Sequence, residues 1–417
     1  MSAEIGGIDA ASSAGVPQTA RRSASQRIDQ LDVLRGIAAL SVVLYHMCCS
    51  LPLLHGYLFC TVFDVWRGRS DCAVVGLLLS STPLRTLVAG PEAVVLFFVL
   101  SGFVLSLPFI KGRGPRYGDY VILRFFRIYI PAAVSIGIAA FVVNMLRPGV
   151  LSESDWVSSF WQQPVQPGAL LANLAMLDGA LDIPPFNIVM WSLVEELRIS
   201  LLLPFLVALM LRFRPGVFLL PAMILSAIGY FGMKANFIPW APARSVAQTA
   251  FFILAFIVGI EACRAWVDGR IHKLQSSRRI VMVAAIVALL FYNSMAVRLN
   301  FLLSYYLVVC AAVIVISLCA SMTVPRPSVA WRAAKWLGRV SYSLYLTHVV
   351  VLLTLLRAAH GELPYGFLVL AILPLSLVVA AIYWRFIENP SHKFGKWLVR
   401  RIHSKPPLQQ FIAPPMT

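Results

Sequence analysis

The sequence predicts an all-α membrane protein, a polytopic bundle of about ten transmembrane helices with both termini in the cytoplasm. The 417 residues are 59% hydrophobic and only 13% charged, with a mean hydropathy of +0.80. A soluble domain carries about twice that charged fraction. The apolar residues fall in runs of roughly 20, the length that crosses a bilayer. These runs recur without amphipathic stretches between them, which excludes a soluble helical core.

Ten segments are long and apolar enough to be candidate spans: residues 33–53, 91–110, 121–145, 188–211, 216–233, 246–263, 279–296, 300–320, 339–357 and 365–387. The stretch from Cys72 to Ala89 differs from them, because Pro83 and Arg85 interrupt its short apolar part. We expect it to be a re-entrant or interfacial piece of the first external loop. If it crosses the membrane instead, the later spans are inverted.

The basic residues indicate topology rather than a nucleic-acid partner. The net charge is +17, but Lys and Arg concentrate in the two termini and in every second loop between spans. By the positive-inside rule those segments are cytoplasmic. The chain is therefore predicted to have the lipid bilayer as a partner and no nucleic acid.

Outside the spans, the sequence predicts two tails and no metal site. Residues 1–30 are rich in Ala, Ser, Gly and Arg and are expected to be a disordered cytoplasmic tail. Residues 31–390 form the membrane domain, and residues 391–417 a second cytoplasmic tail. The seven cysteines have no metal-ligand spacing. Cys60 and Cys72 fall in the external loop, where a disulfide and two unpaired thiols are both open.

The first span contains two ionisable residues, Arg35 and His46. They are eleven positions apart in the sequence. Eleven positions are close to three helical turns, so both side chains lie on one face. They are about 16 Å apart along that face. Ionisable groups at such depth are costly in lipid, so the face is expected to line a protein interior or a wet cavity. The alternative for His46 is a hydrogen-bonded core histidine.

The fourth span places Glu196 at about the depth of His46, roughly 12 Å below the outer surface. A carboxylate at that level is able to orient an imidazole and to stabilise its protonated form. The neighbouring Glu195 points about 100° away around the helix. It is expected to pair with Arg198 or with another charge.

Arg124 and Arg127 open the third span at the cytoplasmic surface. Their i, i+3 spacing points both guanidinium groups in about the same direction, and such a fork suits phosphates. Together with Arg35 they predict a basic mouth for an anionic nucleotide carrier. The alternative is a pair of positive-inside anchors.

Two further polar groups lie within predicted spans. Ser101 is followed by Gly102, a pair that allows close helix approach or a small cavity. Ser341, Tyr345 and His348 share one helix face at i, i+4 and i+7. Hydrogen bonding between helices and a role in a site are both open for these residues.

Taken together, these segments resemble acyltransferase family 3, the integral-membrane O-acyltransferases of bacteria. The resemblance runs in order from Leu31 to Pro390, nearly the whole membrane part. Its pieces are Leu31-Asp-Val-Leu-Arg35-Gly with ten residues to His46, Phe97-Phe-Val-Leu-Ser-Gly-Phe103, Arg124-x-x-Arg127 followed by Pro131, Trp191-Ser-Leu-x-x-Glu196, Ser341-Tyr-Ser-Leu-Tyr-Leu-x-His348 and Glu388-x-Pro390.

The resemblance implies an enzyme of the bacterial inner membrane. It would transfer an acyl group, usually acetyl from acetyl-CoA, to a hydroxyl of an extracytoplasmic sugar, polysaccharide or lipid-linked glycan. Acyl-CoA would be a co-substrate, with no permanently bound cofactor. The resemblance places Arg35 and His46 at the centre, Arg124 and Arg127 toward the donor, and Glu196 in the external half. Further supporting or substrate-contacting candidates are Ser101, Trp191, Glu195, Tyr345 and His348.

Two routes are open for His46. As a general base it would activate the hydroxyl, an effect of about 10² to 10⁴-fold. As a nucleophile it would accept the acyl group and pass it on. Two other functions remain open at this point: a secondary transporter, which also has charges inside the membrane, and an acyltransferase that modifies a small secreted metabolite.

Overall fold

The structure, a computed structural model, describes residues 28–51, 83–146, 155–234, 238–271, 301–321 and 328–403. All regular secondary structure within these ranges is helical, with no strand among them. The predicted all-α class is confirmed.

The helices are α1 (Asp29–Ser50), α2 (Gly90–Ile110), α3 (Tyr117–Leu146), α4 (Asp155–Ser158), α5 (Pro167–Leu174), α6 (Met190–Met210), α7 (Leu219–Gly232), α8 (Ala241–Val267), α9 (Phe301–Ser321), α10 (Val329–Ala358) and α11 (Tyr365–His403). Short 3₁₀ turns lie at Pro83–Val88 and Asp178–Ala180. One π-helical turn interrupts α3 at Phe125–Tyr129, and another interrupts α11 at Trp384–Glu388.

In the described part of the chain, seven helices are long and apolar enough to cross a membrane: α1, α2, α3, α8, α9, α10 and α11. Helix α6 has 21 residues but carries the charges Glu195, Glu196 and Arg198, and α7 has only 14 residues. Nine of the ten predicted spans overlap these nine helices. The predicted span 279–296, the two cysteines Cys60 and Cys72, and residues 72–82 of the segment from Cys72 to Ala89 lie outside the described residues.

Helices α1 and α10 pack backbone against backbone. A Cβ atom on Gly36 would lie 2.6 Å from the backbone nitrogen of Gly338, and a Cβ on Gly338 would overlap the carbonyl of Asp32. Only glycine fits at such a contact, which is the small-residue packing that membrane helices use. The side chains that follow on the two helices are thereby brought close together.

Side chains from neighbouring helices satisfy the carbonyls around the π turn of α3. Ser391 donates to the carbonyl of Phe126 at 2.5 Å, Tyr342 to that of Ile128 at 2.8 Å and Tyr383 to that of Pro131 at 2.5 Å. A π turn leaves backbone groups out of the regular ladder, and within a membrane such groups need other partners. These three bonds tie α3 to α10 and α11, and they fix the segment that carries Arg127.

Candidate active site

A cavity of about 640 Å³ lies between α1, α2, α3, α6, α10 and α11. Its lining along α2 and the residue after it extends from Val94 to Lys111, which corresponds to about 25 Å of helix axis. At one end the cavity is lined by Phe97, Ser192 and Tyr345, near the N-terminal ends of α2 and α6. At the other end it is lined by Lys111, directly after α2. The cavity therefore reaches through most of the length of a membrane helix.

Cations outnumber carboxylates in this cavity. Among the described residues it is lined by six Lys or Arg side chains and by two carboxylates: Arg35, Lys111, Arg113, Arg124, Arg127 and Lys396, with Asp32 and Glu196. Each carboxylate pairs with an arginine, at 3.2 Å between Asp32 and Arg35 and at 3.0 Å between Glu196 and Arg124. A concave surface with this excess of positive charge attracts an anionic ligand.

The side chain of Arg124 is buried inside the helix bundle. Its side chain is buried at 5% relative exposure, and it donates to Ser200 Oγ at 3.3 Å and to Glu196 Oε1 at 3.0 Å. Helix α3 begins at Tyr117, four residues before the predicted span. Arg124 is consequently about 10 Å along the helix from its start.

Glu196 contacts this arginine and not His46. Its Oε1 accepts hydrogen bonds from Arg124 and, at 3.2 Å, from Ser101 Oγ. The expected pairing of Glu196 with His46 rested on equal estimated depths, but depth alone does not give the direction in which a side chain points. Arg124 extends from α3 to Glu196, and the carboxylate balances that buried charge.

His46 is oriented by another histidine. Its Nδ1 lies 2.9 Å from Nε2 of the fully buried His348, whose Nδ1 lies 3.0 Å from the carbonyl of Leu344. A carbonyl only accepts, so His348 Nδ1 carries the proton and, in neutral His348, Nε2 is the acceptor. His46 therefore donates through Nδ1, and its Nε2 keeps a lone pair. That tautomer is the one a general base or an acyl-accepting nucleophile needs.

The ring of Trp156, on α4, covers one face of the His46 imidazole. Trp156 stacks on the imidazole with a centroid distance of 5.6 Å and an interplanar angle of 21°. Phe160 packs edge-on against Trp156. Helix α4, which carries Trp156, thus closes over the end of α1 where His46 lies.

The cavity and the histidine pair are separate but adjacent. His46 and His348 do not line the cavity, whereas Arg35 and Tyr345 do. The ring of Tyr345 is 6.0 Å from that of His348, and its hydroxyl lies 2.6 Å from Ser192 Oγ. Tyr345 is thus the side chain that stands between the end of the cavity and the histidines.

The comparison with known proteins decides what kind of protein has this arrangement. Residues 28–385 match the model of the acyltransferase domain of family 3. The chain belongs to acyltransferase family 3. It is a membrane acyltransferase, which favours the enzyme over the transporter considered above. The chain is also 24% identical over 374 residues to Nodulation protein 10 of Rhizobium leguminosarum bv. viciae, covering 81% of this chain and 95% of that protein. No solved structure matches the chain.

Besides the two histidines, two of the predicted site residues do not line the cavity of this acyltransferase. Trp191 is 37% exposed and packs on Phe252, with ring centroids 5.5 Å apart. Glu195 is buried and pairs with Arg198 at 3.4 Å, as its position in the sequence suggested. Arg198 also donates to Ser245 Oγ on α8 at 2.9 Å. These contacts join α6 to α8 and have no access to the cavity.

The sequence did not single out three residues that the structure brings to the site. His392 and Lys396 line the cavity from α11, and Trp156 covers His46. The basic residues near the end of the chain were interpreted as topology charges, although the i, i+4 spacing of His392 and Lys396 indicates a shared helix face. Trp156 lies on the four-residue helix α4, which is too short to give a periodic pattern that points to it.

Proposed function

We propose that this acyltransferase transfers an acyl group, in the simplest case acetyl, from acyl-CoA to a hydroxyl of an extracytoplasmic sugar, polysaccharide or lipid-linked glycan. The observation that carries the proposal is the long basic cavity that ends at Tyr345, next to a histidine pair in which His46 Nε2 keeps its lone pair. Membership in the family establishes acyl transfer as the reaction. The charge of the cavity supports a nucleotide donor.

The donor would enter from the end of the cavity where Arg35, Lys111 and Arg113 lie. By the positive-inside rule the basic end is cytoplasmic, which is where acyl-CoA is available. The phosphates of a CoA carrier would lie among the cations, because guanidinium groups bind phosphate oxygens in pairs. Its thioester would extend along α2 toward Ser101, Phe97 and Tyr345.

The acceptor would approach from the opposite side, past Trp156. His46 Nε2 takes the proton of the acceptor hydroxyl while the oxygen bonds to the acyl carbon. The carbon–sulfur bond then breaks, and the proton passes from His46 to the departing thiolate. In the second route His46 Nε2 itself bonds to the acyl carbon while the carbon–sulfur bond breaks and CoA leaves as the thiolate. The hydroxyl oxygen then bonds to the acyl carbon while the carbon–nitrogen bond breaks, and the hydroxyl proton goes to the thiolate. Both routes use the same lone pair, and we place the enzyme in the bacterial inner membrane.

The test is acyl transfer across a bilayer. The protein is reconstituted in liposomes with acetyl-CoA labelled in its acetyl group on the side of the basic mouth, and with a glycan extract of a deletion strain on the other side. We expect free CoA on the first side and label in the glycan on the second. Mass spectrometry of the glycan then locates the acetylated hydroxyl. Glycan flux without CoA release, or CoA release that glycan does not stimulate, would contradict the proposal.

A further inference from the structure

The last fifteen residues of α11, Asn389–His403, form a terminal segment that packs one of its faces against the first turns of α3. Ser391 donates to the carbonyl of Phe126. Gly395 is buried, and a Cβ there would lie 2.8 Å from Phe126 Cβ. Residues four apart lie on one face of a helix, so Ser391 and Gly395 define the side of the terminal segment that faces the bundle.

The terminal segment ends beside the end of a membrane-spanning helix. His403 Nε2 lies 2.9 Å from Oδ2 of Asp119, in the first turn of α3. The next residue, Tyr120, packs its ring edge-on against that of Phe109, with centroids 5.6 Å apart. Phe109 is one residue before the end of α2, a helix long and apolar enough to cross a membrane. The terminal segment therefore reaches the level of the bilayer surface, where phospholipid headgroups lie.

The outward face of the terminal segment combines two cations with a tryptophan. Lys393, Trp397 and Arg400 share this face at i, i+4 and i+7. Lys393 follows Ser391 by two residues, which turns it about 200° around the helix from the side that packs on α3. All three side chains are exposed, Trp397 by 47%. Among the described residues, none forms an ion pair or a hydrogen bond with Lys393 or Arg400.

We propose that Lys393, Trp397 and Arg400 form a binding surface for anionic phospholipids. The indole of a tryptophan favours the headgroup level of a bilayer, and cations at that level attract lipids with a net negative charge. A zwitterionic headgroup carries a cation of its own, which offsets this attraction. An amphipathic helix with exposed basic and aromatic side chains binds anionic membranes through the same two contributions.

A lipid on this surface would act on the wall of the cavity. The terminal segment also carries His392, which lines the cavity and has its Nδ1 3.1 Å from Arg127 Nη1. The face that packs on α3 holds the segment from one side, and the lipid would hold it from the other. Binding of anionic lipid is therefore expected to stabilise the folded protein.

The experiment measures thermal unfolding of the purified protein in a neutral detergent, with added phosphatidylglycerol or phosphatidylcholine. A ligand that binds the folded state raises the Tm, so we expect phosphatidylglycerol to raise it at a lower concentration than phosphatidylcholine. One cation at an anionic surface corresponds to about a fivefold change in affinity. The double variant Lys393→Ala, Arg400→Ala should therefore need roughly 25-fold more phosphatidylglycerol for the same rise.

Two control variants separate charge at this surface from charge in general. The pair Lys393→Arg, Arg400→Lys keeps both charges and should respond to phosphatidylglycerol as the wild type does. Lys234→Ala removes a cation that lies over the ring of Tyr230, beyond the end of α7. That variant should also respond as the wild type does.

Inorganic phosphate, added alone, distinguishes a lipid headgroup from a soluble anion. A rise in Tm with phosphate that the double alanine variant loses would overturn the assignment to lipid. The same response to phosphatidylglycerol in the wild type and the double alanine variant would overturn the proposed surface. Equal responses of the wild type to both lipids would overturn the role of headgroup charge. None of these measurements uses acyl transfer, so their outcome is independent of the proposed function.

Discussion

His46 and His348 face each other at 2.9 Å, and each lies ten residues after a glycine, Gly36 on α1 and Gly338 on α10, at which the two helix backbones touch. The same number of residues separates the glycine contact from the histidine contact on both helices. Therefore α1 and α10 run parallel and in register. Ten residues correspond to about 15 Å of helix. The glycine contact near the basic end of α1 thus determines the geometry of the histidine pair near its other end.

Substitution of His348 tests its role as the residue that orients His46. His348→Ala removes the acceptor for His46 Nδ1, so both the tautomer and the ring direction are lost, and kcat is expected to fall about 100-fold. His348→Gln keeps an acceptor oxygen near the position of Nε2 and should recover part of kcat. The KM for acyl-CoA should stay near that of the wild type in both variants. Equal kcat values for the Ala and Gln variants would contradict the orienting role.

The glycine contact predicts a loss of stability from a single methyl group. Gly338→Ala forces α1 and α10 apart, because the new Cβ overlaps the Asp32 carbonyl, and we expect the free energy of unfolding to fall by about 1–3 kcal/mol. The control is Gly137→Ala on α3, where nothing lies within 4 Å of the new Cβ. Thermal unfolding in detergent measures both. A Gly338→Ala variant with the Tm and kcat of the wild type would show that the backbones do not touch there.

The pair of Arg124 and Glu196 predicts strong coupling between two helices. Removing Glu196 leaves a buried guanidinium without its carboxylate, at a cost of about 3–5 kcal/mol, and removing both partners is much less costly than the sum of the single changes. A double-mutant cycle with Arg124→Ala and Glu196→Ala, followed by thermal unfolding, measures the coupling. We expect an interaction energy above about 1 kcal/mol, and additive effects would refute the pairing.

The stacking of Trp156 on His46 predicts that the indole ring keeps water away from the imidazole. Trp156→Ala uncovers one face of the imidazole, so water is expected to compete with the acceptor hydroxyl. CoA release without acceptor should therefore rise relative to transfer, by about tenfold if the ring excludes water as a closed lid does. Trp240→Ala removes another tryptophan, which is 68% exposed before α8, and should leave this ratio unchanged. Release that stays at the level of the wild type in Trp156→Ala would argue against the barrier.

The sequence predicted the helices well because membrane spans have a strong signal in length and hydropathy. Helix α2 begins one residue before its predicted span and ends at the predicted residue. The largest errors are at the start of α10, which begins at Val329 instead of residue 339, and at the end of α11, which continues to His403 instead of ending at residue 387. Both additional stretches hold polar and charged residues, which lower the hydropathy without breaking the helix.

The shared position of three arginines was predicted, but the pairing within the candidate site was not. The spacing of Arg124 and Arg127, together with Arg35, indicated one basic mouth, and all three line one cavity. Glu196 was expected near His46, but it pairs with Arg124. Spacing within one helix does not determine which residue of another helix is opposite. The partner of His46 therefore emerged only from the contact of α1 with α10. For the same reason, the basic residues of α11 could not be separated into cavity and surface positions.

The most direct test of the central claim is acyl transfer by the His46→Ala variant in liposomes, measured together with the affinity for CoA. The account predicts that acylation of the acceptor is lost while CoA still binds within about twofold of the wild-type Kd, because the cations proposed to bind CoA lie in a cavity that His46 does not line. Acylation at nearly the wild-type rate would contradict the assignment of the chemistry to His46.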